Sequence, residues 1–179
     1  IGKPIQFTAS FGFPPKEEND FRYMAKLGGG SCLDAGSYTI HAARHFYQRE
    51  PLSVHKISYN DGKEVDIHGA VMLDFGNGQF AQLSFGFNNY YRNTYSIWGT
   101  EGHITLKRAF TIPVNMKPKI ILEKQDYYEE IICKSDNHFI NEIEYFCRHL
   151  GGRPVKTWRE ECTAQSKYLL STFREFPLK

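Results

Sequence analysis

Residues 27–41 have the sequence LGGGSCLDAGSYTIH, and this stretch decides how the chain is interpreted. Its three glycines predict a tight turn that leads into a helix. Asp34 and Tyr38 lie four residues apart in this helix. His41 and His45 follow at i+7 and i+11, so all four side chains are predicted to share one face. A carboxylate, a phenol and two imidazoles can transfer protons and hold a polar ligand, which makes this face a candidate site.

Strict alternation of apolar and polar residues predicts a half-buried first strand. The residues expected to face one side of it are Ile5, Phe7, Ala9, Phe11 and Phe13. Further strands are predicted at 53–59, 65–75, 79–87, 94–98, 103–106, 119–123 and 129–132. A two-residue hairpin turn of the Asn-Gly type joins two of them, and the last two are expected to form an edge hairpin.

Helices are predicted over 34–48, over 136–151 and from 157 onward. Asp136 is the expected N-cap of the second helix, and Gly151 is its expected end. Its apolar residues, predicted to face inward, are Phe139, Ile143, Phe146, Cys147 and Leu150. Thr157 with Glu160 is typical of a capping box at the start of the last helix.

Strands joined as antiparallel neighbours, with the helices segregated, indicate an α+β fold. We expect an open, predominantly antiparallel β-sheet with helices packed on one face. The other face is polar, and its predicted members are Gln6, Thr8, Ser10, Met72, Asp74, Gln82 and Ser84. Such a face is either solvated or in contact with a partner.

The composition excludes several classes of function. The 22 basic and 20 acidic residues nearly balance, so electrostatics gives no reason to expect nucleic acid as a partner. No apolar stretch approaches the ~18 residues that span a bilayer, and no signal peptide is evident. The four cysteines lack metal-finger spacing and are expected to be reduced thiols of a cytoplasmic protein. The 179 residues suit one domain, and the start at Ile1 suggests a piece of a longer protein.

Two features of the candidate helix have competing interpretations. The glycine triplet follows a loop and lacks dinucleotide spacing, so a tight turn is favoured over a phosphate site. Asp34 alone would be interpreted as a helix-start residue. Tyr38 one turn later favours a site instead, because a phenol can protonate a carbonyl oxygen as that carbonyl is reduced. A phenol exchanges protons near neutral pH only beside a cation, and the helix offers none, so a lysine from elsewhere is expected.

The remaining candidates are less distinctive. His41 and His45 have the spacing of two metal ligands, but no third ligand lies at a recognisable distance, and no metal is predicted. A hydrogen bond from His41 to substrate is favoured instead. Tyr91 and Arg92 follow a strand and are candidates for clasping a phosphate or a sugar. An aromatic loop that closes the sheet is an equally good interpretation of that segment. Arg22, in the charged loop before the helix, is a further substrate-binding candidate.

With these residues considered, the chain resembles the carboxyl-terminal domain of the glucose–fructose oxidoreductase/inositol dehydrogenase (Gfo/Idh/MocA) family. The most specific matches are the glycine triplet followed by Asp34-x-Gly36-x-Tyr38, and the segment WGTEG at 98–102. The segments YRN at 91–93 and RAFT-x-P at 108–113 look like the branch that contains sugar-nucleotide 3-ketoreductases. The resemblance covers nearly the whole chain.

The resemblance implies an acid/base pair at Asp34 and Tyr38, where many members of the family have histidine at the second position. His41 falls on a position that implies a contact with a sugar hydroxyl. NAD or NADP would be bound mainly by an amino-terminal Rossmann domain. That domain is missing from this chain, and it would also supply the lysine that Tyr38 needs.

The whole of residues 1–179 is thus predicted to be one substrate-binding and oligomerisation domain. The main hypothesis is an NAD(P)-dependent oxidoreductase that transfers a hydride to or from a sugar carbon, with a nucleotide-linked keto-sugar as the expected substrate. One alternative is a non-catalytic sugar-binding or scaffold module. Another is a dehydrogenase of a non-carbohydrate such as a dihydrodiol. A homo-oligomer through the open sheet face is also expected.

Overall fold

A computed structural model of the protein describes residues 1–149 and 155–174, with side chains described as far as residue 149 and over 158–169. This part of the chain contains eight strands, three α-helices, a π-helical turn and two short 3₁₀ helices, Phe21–Tyr23 and Ala25–Leu27. The strands are β1 (Pro4–Gly12), β2 (Ser53–Tyr59), β3 (His68–Gly76), β4 (Gln79–Gly86), β5 (Arg92–Gly99), β6 (His103–Lys107), β7 (Lys119–Lys124) and β8 (Tyr127–Ile132). The helices are α1 (Ser37–Tyr47), α2 (His138–His149) and α3 (Val155–Arg174), and the π-helical turn is Cys32–Gly36.

All eight strands form one open sheet in the order β2-β3-β4-β1-β5-β6-β7-β8. The first strand lies near the middle of this sheet, where it runs parallel to β4 and antiparallel to β5. Every other pair of neighbours is antiparallel. The predicted α+β class, the predominantly antiparallel sheet and the edge hairpin of β7 and β8 are therefore confirmed.

The hydrophobic core lies between one face of the sheet and α1. Alternate residues of β1, β3 and β4 point into it, and Ile40 and Ala43 meet them from the helix. The buried strand residues are Phe7, Ala9, Phe11, Val71, Leu73, Phe75, Ala81, Leu83 and Phe85. Burial of each large apolar side chain contributes about 1.5–3 kcal/mol, so this layer fixes the position of α1 on the sheet.

The third helix packs beside α1 through polar contacts. Gln165 donates a hydrogen bond to the carbonyl of Ser37 at 3.0 Å and accepts one from Arg44 at 2.6 Å. Arg44 is 4% exposed and also donates two hydrogen bonds to Glu50. Leu169 adds an apolar contact to the core. Helices α1 and α3 thus cover one face of the sheet, as predicted.

The second helix differs from its prediction. Its N-cap is Asn137, whose side chain accepts from the amide of Ile140 at 3.2 Å, and not Asp136. Its apolar residues do not face inward: Ile143 is 63% exposed and Phe146 is 51% exposed. Helical periodicity identifies an apolar stripe but not what covers it, and α1 and α3 occupy the covered face of the sheet. Leu150 and Gly151 lie outside the described residues. Helix α3 already includes Val155, so Thr157 lies within the helix and is not its N-cap, contrary to the prediction.

The second face of the sheet is polar and open, as predicted. Ser84, Gln82 and Asp74 are exposed on it, and the Gln6 amide donates to both Thr8 and Gln82. Trp98 interrupts the polar surface with 63% of its side chain exposed. Within the described ranges, no helix combines the length and the apolar character needed to cross a membrane.

Candidate active site

A buried carboxylate anchors the start of the helix that carries the candidate site. Asp66, which precedes β3, accepts a hydrogen bond from the Ser31 hydroxyl at 2.6 Å and another from the Cys32 amide at 2.8 Å. The amide of Ser31 donates in turn to the carbonyl of Asp66 at 2.8 Å. Two of these bonds satisfy backbone amides that a helix start leaves without partners, and the three together fix where the helix begins.

The first turn after this anchor is π-helical, over Cys32–Gly36. At Gly36 the backbone approaches the sheet so closely that an added Cβ would lie 3.0 Å from the ring of Phe85. A π-helical turn carries one residue more than an α-turn, and such turns are frequent at functional sites. Here the wide turn carries Asp34 at the outer side of the helix, half-buried, while Ala35 and Gly36 face the core.

The predicted polar face is present along α1. Tyr38, His41 and His45 are exposed. Thr39, Ile40 and Ala43, on the other side of the helix, are buried. The rings of His41 and His45 stack with centroids 6.0 Å apart. In the part of the chain that the structure describes, no group of three or more possible metal ligands occurs.

Tyr38 stands against an aromatic wall. Its ring packs edge-on against Phe11 and Phe110, with centroid distances of 5.2 Å and 6.1 Å. Tyr38 as a residue is 46% exposed, and among the described residues no side chain or backbone group hydrogen-bonds its hydroxyl. The ring is therefore held from one side while the hydroxyl stays available to a ligand.

The segment that carries Phe110 is tied to β5 by Asn93. The Asn93 carbonyl oxygen of the side chain accepts from the Phe110 amide at 2.7 Å, and its amide nitrogen donates to Thr111 at 2.8 Å. The same amide donates to the Tyr91 hydroxyl at 3.0 Å. Partial burial would raise the pKa of Tyr91, but hydrogen bonds with Thr111, Asn93 and Arg108 lower it overall. Tyr91 thus helps to hold the wall, through Asn93 and Thr111, on the side of the sheet that carries Tyr38.

Arg22 lies beside Asp34. Its Nε donates to the Asp34 carboxylate at 3.0 Å, and its Nη1 donates to both oxygens of Asp20 at 3.1 and 3.2 Å. The guanidinium also lies over the ring of Phe21, 4.5 Å from its centroid. The structure therefore places Arg22 against Asp34, which precedes Tyr38 by four residues.

His41 has a defined protonation preference. Partial burial lowers its pKa, and the positive charge of Arg44 and the neighbouring His45 lower it further. An imidazole with a lowered pKa is neutral at pH 7 and offers one donor and one acceptor. His41 can therefore either donate a hydrogen bond to a hydroxyl group or accept one from it.

Arg92 lies away from the other candidates. It pairs with Gly12 across β1 and β5, two residues from the pair formed by Ser10 and Thr94. Directly opposed residues of antiparallel strands point to the same side, so Arg92 belongs to the open face with Ser10. There it lines a shallow cavity of about 220 Å³. Within this chain, Arg92 and Tyr38 are on opposite faces of the sheet.

The glycine triplet forms a tight turn, as favoured from the sequence. Gly28 and Gly30 have φ angles of +77° and +122°, which side-chain-bearing residues rarely adopt. A Cβ at Gly29 would lie 2.5 Å from the carbonyl oxygen of Arg22. The triplet thus lets the loop with Arg22 pack directly against the start of the helix.

Three residues that shape the site had no role predicted from the sequence: Asp66, Asn93 and Phe110. Asp66 lies between Val65 and Ile67, both of which are buried. Acidic and apolar residues alternate over 64–67, a pattern typical of a strand with one exposed face, so nothing in the sequence indicated a buried carboxylate. The pairing of Asn93 with the segment around Phe110 joins residues 17 positions apart and has no local signature.

Comparison with known proteins adds independent information. A model of the GFO/IDH/MocA C-terminal domain matches residues 1–105. The dTDP-3,4-didehydro-2,6-dideoxy-alpha-D-glucose 3-reductase of Saccharopolyspora spinosa is 38% identical over 152 residues, which cover 84% of this chain and 46% of that enzyme. The enzyme of the same name from Actinomadura kijaniata is 33% identical over 168 residues, or 93% of this chain and 51% of the relative.

A solved structure agrees with these relatives. The crystal structure of KijD10, a 3-ketoreductase from Actinomadura kijaniata in complex with NADP and TDP-benzene, superposes with a TM-score of 0.86. It is 31% identical, and the match covers 96% of this chain and 53% of KijD10. The chain thus spans about half the length of the curated relatives it matches. The resemblance seen in the sequence is confirmed, and the chain belongs to the GFO/IDH/MocA family as its carboxyl-terminal domain.

Proposed function

We propose that this chain is the substrate-binding domain of an NADP-dependent oxidoreductase that reduces a keto group of a nucleotide-linked sugar. The observation that carries the proposal is the hydroxyl of Tyr38, which is exposed and has no hydrogen-bond partner among the described residues. It lies one turn from a carboxylate that Arg22 holds in place. The similarity to dTDP-sugar 3-reductases and to KijD10 supports the choice of substrate class.

The reaction requires a hydride at the carbonyl carbon and a proton at the carbonyl oxygen. NADPH, when bound, supplies the hydride. In this proposal Tyr38 donates the proton to the oxygen as its negative charge develops, and the product is a secondary alcohol. Asp34 orients the phenol or the sugar, and neutral His41 binds a sugar hydroxyl. These roles use only groups that the structure places on the outer face of one helix.

The residues present fit such a cofactor only in part. The hydroxyl of Tyr38 is open to a group that approaches from outside the domain, as a nicotinamide and a sugar would have to do. Gly29, in contrast, packs on the carbonyl of Arg22 and Gly30 packs on the side chain of Asp66, so these two glycines are not free to cradle a pyrophosphate. We therefore propose that NADP is held mainly by an amino-terminal Rossmann domain, which also supplies a lysine beside Tyr38. The expected compartment for this enzyme is the cytoplasm.

The open sheet face is the proposed oligomer contact. It is broad and polar, and it carries exposed apolar residues such as Trp98, Ile57 and Met72. Aromatic residues and methionine are enriched in protein–protein contacts relative to the rest of the surface. Replacing Trp98 by glutamate should lower the molar mass measured by light scattering if copies associate through this face. An unchanged mass would contradict the contact.

The proposed function is tested with the protein as its natural gene encodes it. The assay follows NADPH oxidation with a nucleotide-linked 3-keto sugar. We expect Tyr38→Phe to lower kcat by about 10²-fold or more, because it removes the proton donor without changing the ring's packing. Tyr127→Phe, which removes an exposed hydroxyl from β8, is the matched control and should keep full activity.

Three results would change this proposal. Unchanged turnover of Tyr38→Phe would remove Tyr38 from the mechanism. Tight binding of sugar nucleotides without any reduction or dependence on NADPH would instead support a non-catalytic binding module. Turnover of a dihydrodiol, but of no sugar, would reassign the substrate class within the same chemistry.

A further inference from the structure

Arg22 is bonded to two carboxylates and lies over a ring, and these contacts favour one of two roles for it. Its Nε bonds Asp34 and its Nη1 bonds both oxygens of Asp20. Its own backbone amide donates to Asp20 at 2.9 Å, so the same carboxylate holds both ends of the residue. The guanidinium is 4.5 Å from the ring centroid of Phe21. A group held by two carboxylates and a ring is poorly placed to act as a free ligand for substrate.

The backbone of Arg22 is fixed as firmly as its side chain. The amide of Gly30 donates to the carbonyl of Arg22 at 3.0 Å. Gly29 approaches this carbonyl so closely that any Cβ would lie 2.5 Å from it. The loop, the glycine turn and the first helical turn therefore form one unit, in which Arg22 is the connection to Asp34.

We infer that Arg22 is a positioning residue, which fixes the Asp34 carboxylate one turn before Tyr38 through a planar guanidinium bonded to two carboxylates. This inference rests on the proposed function and deepens it. An arginine suits the task because its donors point in fixed directions, so one guanidinium can bind Asp34 by Nε and Asp20 by Nη1. Lysine carries the same charge without this geometry. The glycine triplet then serves catalysis indirectly, by admitting the Arg22 loop.

The test is steady-state kinetics on the natural full-length protein, with NADPH and a nucleotide-linked 3-keto sugar. We expect Arg22→Gln to lower kcat by about 10- to 100-fold, since a small misplacement of a catalytic group has effects of that size. KM should change by less than about threefold, because the inference gives Arg22 no contact with substrate. Arg22→Lys should recover only part of the lost kcat. Arg148→Gln removes an exposed arginine paired with Glu144 and serves as the matched control with unchanged kinetics.

A double-mutant cycle separates positioning from direct binding. If Arg22 acts through Asp34, Arg22→Gln should have little further effect on kcat in the Asp34→Asn background. A direct substrate contact would instead raise KM, and its effect would persist in that background, which would overturn the inference. Gly29→Ala gives an independent arm, because displacement of the loop should reproduce the loss of kcat. Full activity of Gly29→Ala would also count against the inference.

The outcomes for Tyr38 and Arg22 are distinguishable. If Tyr38→Phe loses turnover and Arg22→Gln does not, the proposed function stands and the positioning role is wrong. If the wild-type protein does not oxidise NADPH with the keto sugar, the proposed function itself fails, whereas full turnover of Tyr38→Phe removes only Tyr38 from the mechanism. Loss of kcat in both variants, with KM preserved in Arg22→Gln, supports the proposed function and the positioning role of Arg22.

Discussion

Asp66 provides the sharpest test of how the fold supports the site. One of its oxygens, Oδ2, accepts hydrogen bonds from both the Ser31 hydroxyl and the Cys32 amide. All three residues are essentially inaccessible to solvent, with Asp66 at 2% exposure and the other two at 0%. Asp66→Ala should therefore destabilise the start of the helix. Asp66→Asn should be much milder, because its amide oxygen can occupy the position of Oδ2 and accept both bonds.

The magnitude follows from the number and type of donors affected. A buried donor that loses its acceptor costs about 1–3 kcal/mol. The Cys32 amide cannot reorient and should show the full effect, whereas the Ser31 hydroxyl can rotate toward another acceptor. Removing a buried charge also returns part of its desolvation cost. We expect about 2–4 kcal/mol for Asp66→Ala and about 1 kcal/mol for Asp66→Asn, whose bonds lose only their charge assistance.

Amide hydrogen exchange measures this effect locally, without requiring the whole protein to unfold in one step. The amides to follow are those of Cys32 and Asp34, the second of which donates to the carbonyl of Gly30 at 3.0 Å. Exchange in Asp66→Ala should accelerate by roughly 30- to 700-fold, the equivalent of the expected free energy. The Leu83 amide in β4 should be unaffected. Equal protection in the alanine and asparagine variants would refute the reasoning, since only the asparagine retains an acceptor.

Packing and charge elsewhere in the domain lead to three more expectations. Gly36→Ala would place a methyl group 3.0 Å from the ring of Phe85, so the free energy of unfolding in urea should fall by about 1–3 kcal/mol. A stability equal to wild type would show that the helix can move away from the sheet. Hydrogen bonding to Arg44 lowers the pKa of Glu50, so the stability from this pair is present above pH 4.5 and is lost as the pH falls further. Below pH 4.5 the melting temperature of Glu50→Gln should fall less steeply with pH than that of wild type. The same fall in both proteins would show that this pair is not the source of the acid sensitivity. Burial raises the pKa of Tyr47 to about 12. The contribution of this protonated phenol to the free energy of unfolding is therefore complete below pH 10 and is lost as the pH rises toward 12. Tyr47→Phe should lack this alkaline loss, which ultraviolet titration and thermal unfolding can measure together.

The sheet and the polar helix face could be predicted because both depend on local periodicity. The predicted bounds of β2, 53–59, agree with the observed strand, and the Asn77-Gly78 turn lies between β3 and β4 as expected. Apolar residues at every second position specify which side of a strand is buried, whatever lies above it. Tyr38 and His41 were likewise assigned to the exposed side of α1 from their spacing alone.

The surroundings of the site could not be predicted in the same way. Phe110 reaches Tyr38 because Asn93 binds the backbone of its segment, and nothing in the spacing of these residues indicates that pairing. The link from Arg22 to Asp34 depends on a close backbone approach at Gly29, which only the folded chain reveals. Resemblance to the family identified the helix but gave these supporting residues no role.

The separation of Tyr91 from Arg92 depends on where β5 begins: it starts at Arg92, two residues before the predicted strand at 94–98. Neighbouring residues of a strand point to opposite faces, so two consecutive side chains cannot both line a site on one face of the sheet. Asn93 is buried on the side of Tyr38, and Tyr91 shares that side because it lies two positions away. Arg92 must then point to the open face, where the pairing with Gly12 places it. An effect of Arg92 on catalysis would therefore have to act across the sheet or through a second copy of the chain, whereas Tyr91 can act directly through the wall beside Tyr38.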